Sequence, residues 1–459
     1  MSPVSAVCLT FGLLPCACGG EFFIEGKDAQ PDAPADGAPD ADDGFGESGE
    51  DAPHPDIGDD MDDAADGTDG AVDTPPDTAP DPSTDPLPDP GPEVDPCSGT
   101  TLAERFSVTS VDVSPAGVAG TYYRPSIVLS ALDDGTSKAA WNDGSGAAHI
   151  TPLTAADERA GDDIVIPGSD IAGFVAHADG GALLVVRDDV MALRKVDNSG
   201  AVIFDIEFVG NNDHEVMWNK WIDSWSDSGR LAWSGSEYGA YFGHTMLWDS
   251  GRHQGDMLQV VDGSGSAREE WGWGCSHSLE VLIAHNGSRF GPVCLSDCYP
   301  TKGIHFNHRT DEISPEPSGD CGGGSAARLG GLVPLAGGGF FLTFTSPEGR
   351  ASDDVVLVRI DTSGGVSVGP EMYLTDTAGV DEHGAKLAAY GPNLLVAWIA
   401  GGSTLLAVVG GDGAFVEGPV DVGQAYDEDD DFINFSSGEA GWARGAGSRI
   451  EIVRVAVCP

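Results

Sequence analysis

Basic residues are scarce in this chain. Its 459 residues carry 22 Lys and Arg against 75 Asp and Glu, a formal net charge of −53. A surface of that sign repels phosphate backbones and anionic headgroups, which excludes nucleic acid as a partner and excludes membrane binding by charge. Long apolar runs are missing too. The most apolar stretch, near the N-terminus, is too short for a comfortable membrane span. H-E-x-x-H and phosphate-binding loops are absent, and "CSHS" (275–278) is no nucleophile elbow, so no motif names a reaction.

The acidity is uneven. Residues 27–96 hold 23 Asp and Glu, 14 Pro and a single basic residue, Lys27. With almost no aromatic or β-branched side chains, this segment buries too little apolar surface to offset its ordering entropy and reads as a disordered, solvated spacer. As coil it spans on the order of 50 Å, and fully extended roughly 200 Å. Ahead of it, residues 4–20 read "VSAVCLTFGLLPCACGG". This stretch resembles the signal peptide of a bacterial lipoprotein, in which a Leu-rich run leads into small residues before a cysteine that is acylated after cleavage. The resemblance implies a signal peptide at 1–18, acylation of Cys18 (or Cys16), and a linker over 19–96. Neither cysteine is followed by Asp, which in such lipoproteins implies the outer membrane of a Gram-negative-type bacterium. The chain is thus expected to be exported, attached to the membrane only through its lipid, and displayed at the surface.

From about residue 120 a unit recurs: an apolar strand, a Gly-containing tight turn, another apolar strand. The turn glycines are Gly135, Gly180, Gly235, Gly287, Gly338, Gly391 and Gly438, separated by 45, 55, 52, 51, 53 and 47 residues. A second signature, "LRKVDNSGAV" (193–202), "LQVVDGSGSA" (258–267), "LVRIDTSGGV" (357–366) and "LAVVGGDGAF" (406–415), aligns without gaps and reads as the turn between third and fourth strands. Four short strands per ~50 residues, seven times over, predict an all-β fold: one seven-bladed β-propeller over 97–459. The last unit lacks a fourth strand, and "RFSVTSVDV" (105–113) has no partner, so the N-terminal strand is expected to close the ring. A Cys97–Cys458 disulfide would stand where the missing hairpin turn belongs.

In such a ring the first-to-second and third-to-fourth turns share one face, called here the turn face. The second-to-third loops and the crossings between blades share the other, the crossing face. The unusual chemistry falls on the latter. The crossing at 210–229 carries His214, Trp218, Trp221, Asp223 and Trp225. The loop at 243–256 carries His244, Trp248, His253 and Asp256. "WGWGCSHS" (271–278) carries Trp271, Trp273, Cys275 and His277, and the loop at 294–305 carries Cys294, Cys298, Tyr299 and His305. Export makes disulfides the expected state of Cys275, Cys294, Cys298 and Cys321. Three connectivities are open; Cys275–Cys294 with Cys298–Cys321 is carried forward. Zinc on Cys294 and Cys298 with His277 and His305 is the rival. No cofactor is expected. Asp427, Asp429 and Asp431 in "DEDDDF" are the one calcium candidate, beside a plain solvated loop.

These residues support three readings. The first is a monomeric binding module that recognises a glycan or protein at the cell surface through Trp218, Trp221, Trp225, Trp248, Trp271, Trp273, His277 and Tyr299. The second is a polysaccharide lyase or hydrolase using a His–carboxylate pair drawn from His214, His244, His277, Asp223 and Asp256. The third is a structural envelope protein whose tryptophans are only a satellite core. The whole resembles uncharacterised bacterial surface lipoproteins built from an acylated cysteine, an Asp/Pro-rich tether and a propeller, a class that implies a location more than an activity.

Overall fold

The computed structural model describes residues 100–458 except 121–123, 209–219, 224–225, 249–250, 277–278, 307, 309–310 and 318–323. The described chain is all-β apart from one turn of 3-10 helix, Leu102–Glu104. It forms seven antiparallel sheets of four or five strands. They are blades 1 to 7, spanning 127–167, 170–207, 220–271, 281–315, 328–373, 382–421 and 433–455. The seventh is completed by Phe106–Asp112, which pairs with Arg449–Val455 from Phe106↔Val455 to Asp112↔Arg449. The ring closes as the repeat count required. Cys458 is disulfide-bonded, and Cys97 lies outside the described residues.

Six of the turn glycines fall between the first and second strands of their blades, and Gly180 opens the second strand of blade 2. Six of the seven have positive φ, for example 89° at Gly135 and 98° at Gly235, where a side chain would clash with the backbone. Gly180 is the exception. A Cβ there would lie 1.9 Å from the Val196 carbonyl oxygen, so close strand approach imposes the glycine. The second signature holds its turn with a side chain: Asp197 Oδ1 accepts the Ser199 and Ala201 N–H groups at 2.8 and 2.9 Å, and Asp262 does the same for Ser264 and Ser266 at 2.9 Å each.

Second strands are buried on both faces. All six residues of Ser137–Asn142 and all eight of Gly339–Ser346 are inaccessible, whereas the outermost strand Val202–Glu207 alternates toward solvent. That explains why the inner strands read as unbroken apolar runs. Core clusters bridge neighbouring blades: Phe306 of blade 4 meets Phe340 of blade 5 with centroids 5.6 Å apart. Trp141, Trp398 and Trp442, all fully buried on second strands, wedge the same kind of interface. At the seam between blades 7 and 1 the buried Arg454 guanidinium donates to both Asp157 oxygens at 2.6 Å and lies 3.5 Å over the Phe435 ring.

Candidate functional site

The decorated sector of the crossing face is built on blade 3. Its second and third strands, Glu237–Trp248 and Gly251–Asp262, are twelve residues each and stay paired as far as Trp248↔Gly251. The run 243–256, which reads as a loop, is a hairpin. Its glycines are spacing residues, not turn residues: a Cβ on Gly243 would sit 2.7 Å from the Ser226 carbonyl oxygen, and one on Gly255 2.6 Å from the Trp273 ring. The short strand Lys220–Trp221 pairs with Thr245 and Met246 and covers the base of the hairpin, so the interrupted pattern marks cover on both sides, not exposure.

"WGWGCSHS" folds around one buried carboxylate. Asp256 is fully inaccessible. It accepts Trp271 Nε1–H at 3.3 Å and the Cys275 N–H at 2.8 Å, and Tyr241 OH also hydrogen-bonds to it. Burial outweighs these donors and pushes its acid up to about 7. Gly274 is obligatory because a Cβ there would lie 2.1 Å from Asp256 Oδ1. Cys275 and Cys294, both buried, form a disulfide spanning 19 residues. It joins the stretch to blade 4 as expected. Beyond it, Ser276 and Tyr299 exchange bonds of 2.8 Å, Ser276 N–H to Tyr299 O and Tyr299 N–H to Ser276 Oγ. Cys298 is also disulfide-bonded, while Cys321 lies outside the described residues. Zinc on Cys294 and Cys298 loses its ligands, because Cys294 sulfur is bonded to Cys275.

The remaining candidates divide. His214, Trp218, Trp225 and His277 lie outside the described residues, as do Cys16 and Cys18, and the same holds for the side chain of Trp248. Trp221, Trp271, Trp273 and Asp223 are half-buried, and Tyr299 is exposed. Trp271 packs against His308 with centroids 4.9 Å apart, and Trp273 against His244 at 5.4 Å. His244 and Asp256 are both interior. Register places Gly243 opposite Asp256 and His244 opposite Gly255, and alternation then sends the two side chains to opposite faces of the hairpin, so they form no acid–base pair. Burial holds the His244 imidazole well below its ordinary range and neutral. Among the described residues Asp427, Asp429 and Asp431 do not converge on a point. Asp431 pairs with Arg230 at 2.7 Å, and Asp427 accepts the Asp429 N–H at 3.2 Å. The string "GVSVG" (365–369) spells G-x-S-x-G, but Ser367 is an exposed residue on the short edge strand Ser367–Val368, not at a strand-to-helix turn.

The sequence reading passed over the ring axis. A cavity of about 710 Å³ is lined by the first strands of all seven blades. Toward the crossing face Arg230, from blade 3, pairs with Asp431 and donates to the Asp429 carbonyl at 2.8 Å, both at the entry to blade 7. Lys386, buried, donates to the Glu428 carbonyl at 2.6 Å. Burial pushes the Lys386 ammonium down and Glu280, which accepts the Leu329 N–H at 2.5 Å, up to about 7. Trp233 stands at the opposite, turn-face end of the cavity, away from the other clustered tryptophans. Counting back two residues from the turn glycines reaches Asp133, Ala178 and Trp233, so the repeat alignment contained this signal.

No family model matches the chain, and no curated protein matches its sequence. Solved structures do. A prolyl endopeptidase is similar at 11% identity over 69% of this chain and 44% of that one, with a TM-score of 0.42. TolB from Acinetobacter baumannii is similar at 13% identity over 64% of each chain, with a TM-score of 0.32. An endo-arabinase from Bacteroides thetaiotaomicron VPI-5482 is similar at 11% identity over 62% of this chain and 93% of that one, also with a TM-score of 0.32. The chain thus spans less than half of the prolyl endopeptidase. At such identities and TM-scores no activity carries across.

Proposed function

We propose that this chain is a displayed binding module of a bacterial cell envelope, which recognises a glycan or a protein through the crossing face around blades 3 and 4. One observation supports this most: the longest strands of the described fold, the paired second and third strands of blade 3, extend into that sector. The hairpin of blade 3, whose strands have twelve residues each, is braced by Lys220–Trp221 and by the disulfide-stapled stretch before blade 4, whereas the other face carries tight turns. Rigid, preorganised loops on a stable scaffold are what recognition requires. Leu247 (47% exposed) and Tyr299 (44% exposed) offer apolar surface there. Acylation at Cys18 and the acidic spacer belong to the same proposal, with the lipid holding the ring at the outer membrane. The polysaccharide-cleaving reading has no described observation in its favour, since His244 and Asp256 are interior.

The test presents the full-length oxidised protein to a panel of envelope and environmental polysaccharides, beside a Leu247→Ser/Tyr299→Ala variant. Binding that the variant loses at unchanged melting temperature supports the proposal. Binding that the variant keeps removes this sector from recognition, and none to any member of the panel removes the glycan and leaves a protein as the partner.

A further inference from the structure

Arg230 does more than neutralise Asp431. In a seven-membered ring, blades 3 and 7 are as far apart as two blades can be. A side chain that starts on the first strand of one and ends 2.7 Å from a carboxylate at the entry to the other must cross the axis. Its Nη2 donates to the Asp429 carbonyl at 2.8 Å and its Nη1 to the Gly229 carbonyl at 3.0 Å, which fixes the crossing on both sides. Lys386, donating to the Glu428 carbonyl, anchors the same segment from blade 6. The axial cavity of about 710 Å³ is therefore barred toward the crossing face and entered from the turn face. Its volume is within the ~300–1,000 Å³ typical of small-molecule sites.

The entrance is not a bare end of a channel. First strands deliver Trp233 from blade 3, His177 from blade 2 and Ser130 from blade 1, the turn after the first strand of blade 1 adds Asp133 and Asp134, and all five line the cavity. Trp233 is half-buried, with Tyr238 (4.3 Å between centroids) and the edge of His177 (5.2 Å) fixing its ring. Tyr238 OH lies 2.6 Å from His177 Nε2. Burial and nearby Lys195 keep the imidazole below its ordinary range. Assigning the Tyr238 phenol as the donor to Nε2 places the proton of the neutral ring on Nδ1. Beneath it the buried Lys138 ammonium is fully engaged by the His177 and Gly180 carbonyls and Asn198 Oδ1, at 2.8, 2.7 and 2.8 Å. Of the lining residues only Arg230 carries a full positive charge, and it is already paired at the far end.

We infer that this entrance is a second binding site, for one neutral saccharide unit: the indole of Trp233 takes a sugar face, Asp133 accepts from hydroxyls, and the His177 Nδ1–H donates to one. An indole beside carboxylates and one donor suits a polyhydroxylated ring. The two aspartates at the rim, with no unpaired cation to offset them, repel anionic sugars. The site is independent of the crossing face and stands or falls separately from the function proposed there.

The experiment titrates the full-length oxidised protein with methyl glycosides of glucose, galactose, mannose and N-acetylglucosamine, and with glucuronate and choline as charged probes. Binding is read by calorimetry and indole fluorescence. Three variants accompany it: Asp133→Asn, Ala178→Trp to fill the entrance, and Leu247→Ser/Tyr299→Ala on the other face. The expected result is saturable binding of at least one neutral glycoside. It weakens about tenfold or more in Asp133→Asn, as the loss of a charge-assisted hydrogen bond implies. It disappears in Ala178→Trp and is unchanged in the crossing-face variant, with all melting temperatures preserved. The inference is overturned if no neutral glycoside binds at millimolar concentration, if binding survives Ala178→Trp, if only choline or glucuronate binds, or if the crossing-face variant alone abolishes binding. Should Ala178→Trp unfold the ring, Asp133→Asn, at an exposed position, decides by itself.

Discussion

Asp256 is where burial and hydrogen bonding oppose each other most directly, and replacing it with asparagine makes the balance measurable. Three donors favour the carboxylate, while complete burial favours the acid and prevails, bringing the folded group to about 7 from an ordinary 3.8. The raised value fixes the sign. Below pH ~4 both folded and unfolded states are protonated and nothing is lost. Between ~4 and ~7 the unfolded chain releases a proton that the folded chain keeps, so stability falls as pH rises and levels off above ~7. At 1.36 kcal/mol per pKa unit the full loss is about 4 kcal/mol. For a ring of ~360 residues, with an unfolding entropy near 2.1 cal/mol/K per residue, that is about 5 °C in Tm. The asparagine amide cannot ionise, but its NH2 group cannot accept, so one of the two N–H donors facing the carboxyl loses its partner at every pH. Asp256→Asn should therefore start below the parent near pH 4 by a fixed amount, and its Tm relative to the parent should rise by about 5 °C between pH 4 and pH 8. Asp227, Glu280 and Asp430, raised to about 6, 7 and 8, tilt both curves alike and cancel in the difference. Urea melts of both proteins at four pH values from 4.5 to 8 provide the assay. A difference that does not change with pH would mean that the three donors hold the carboxylate ionised, and the burial reasoning would be refuted.

Other perturbations have definite magnitudes. Cys275→Ser/Cys294→Ser opens a disulfide loop spanning 19 residues and should cost about 3 kcal/mol in denaturant melts; an unchanged midpoint would remove the staple from the account of this sector. Asp157→Ala removes two of the hydrogen bonds of the buried Arg454 guanidinium at the seam and leaves it Glu439, 3.1 Å from Nη1, as its carboxylate partner; it should cost about 1–3 kcal/mol, and a Tm within a degree of the parent would contradict this. Gly274→Ala drives a methyl into Asp256 Oδ1 and should cost about 1–3 kcal/mol as overpacking. Its cost should shrink in the Asp256→Ala background, where the blocking oxygen is gone; equal costs in both would show that the clash is relieved elsewhere.

What the sequence determined by itself is what is local and repeated. Seven glycines at near-constant spacing, the Asp-Xaa-Ser turns, and an unpartnered N-terminal strand beside a last unit one strand short specify blade count, turn positions and closure, because each rests on a few neighbouring residues. Cys275–Cys294 was legible only as one of three pairings. Tertiary structure decided the rest. Gly243, Gly255 and Gly274 look like loop residues, yet each is small because a group remote in sequence presses against it. Asp256 reads as a surface acid and is the fully buried centre of "WGWGCSHS", since the covering Trp271 and Cys275 arrive from the end of the fourth strand of blade 3 and the crossing that follows it. His244 and Asp256 look like a catalytic pair until strand register turns them to opposite faces. The axial cavity, barred by Arg230, exists only when seven first strands, the furthest about 300 residues apart in sequence, are brought around one axis. Burial and convergence depend on distances between segments, and those distances are set by the closed ring rather than by any stretch of the chain within it.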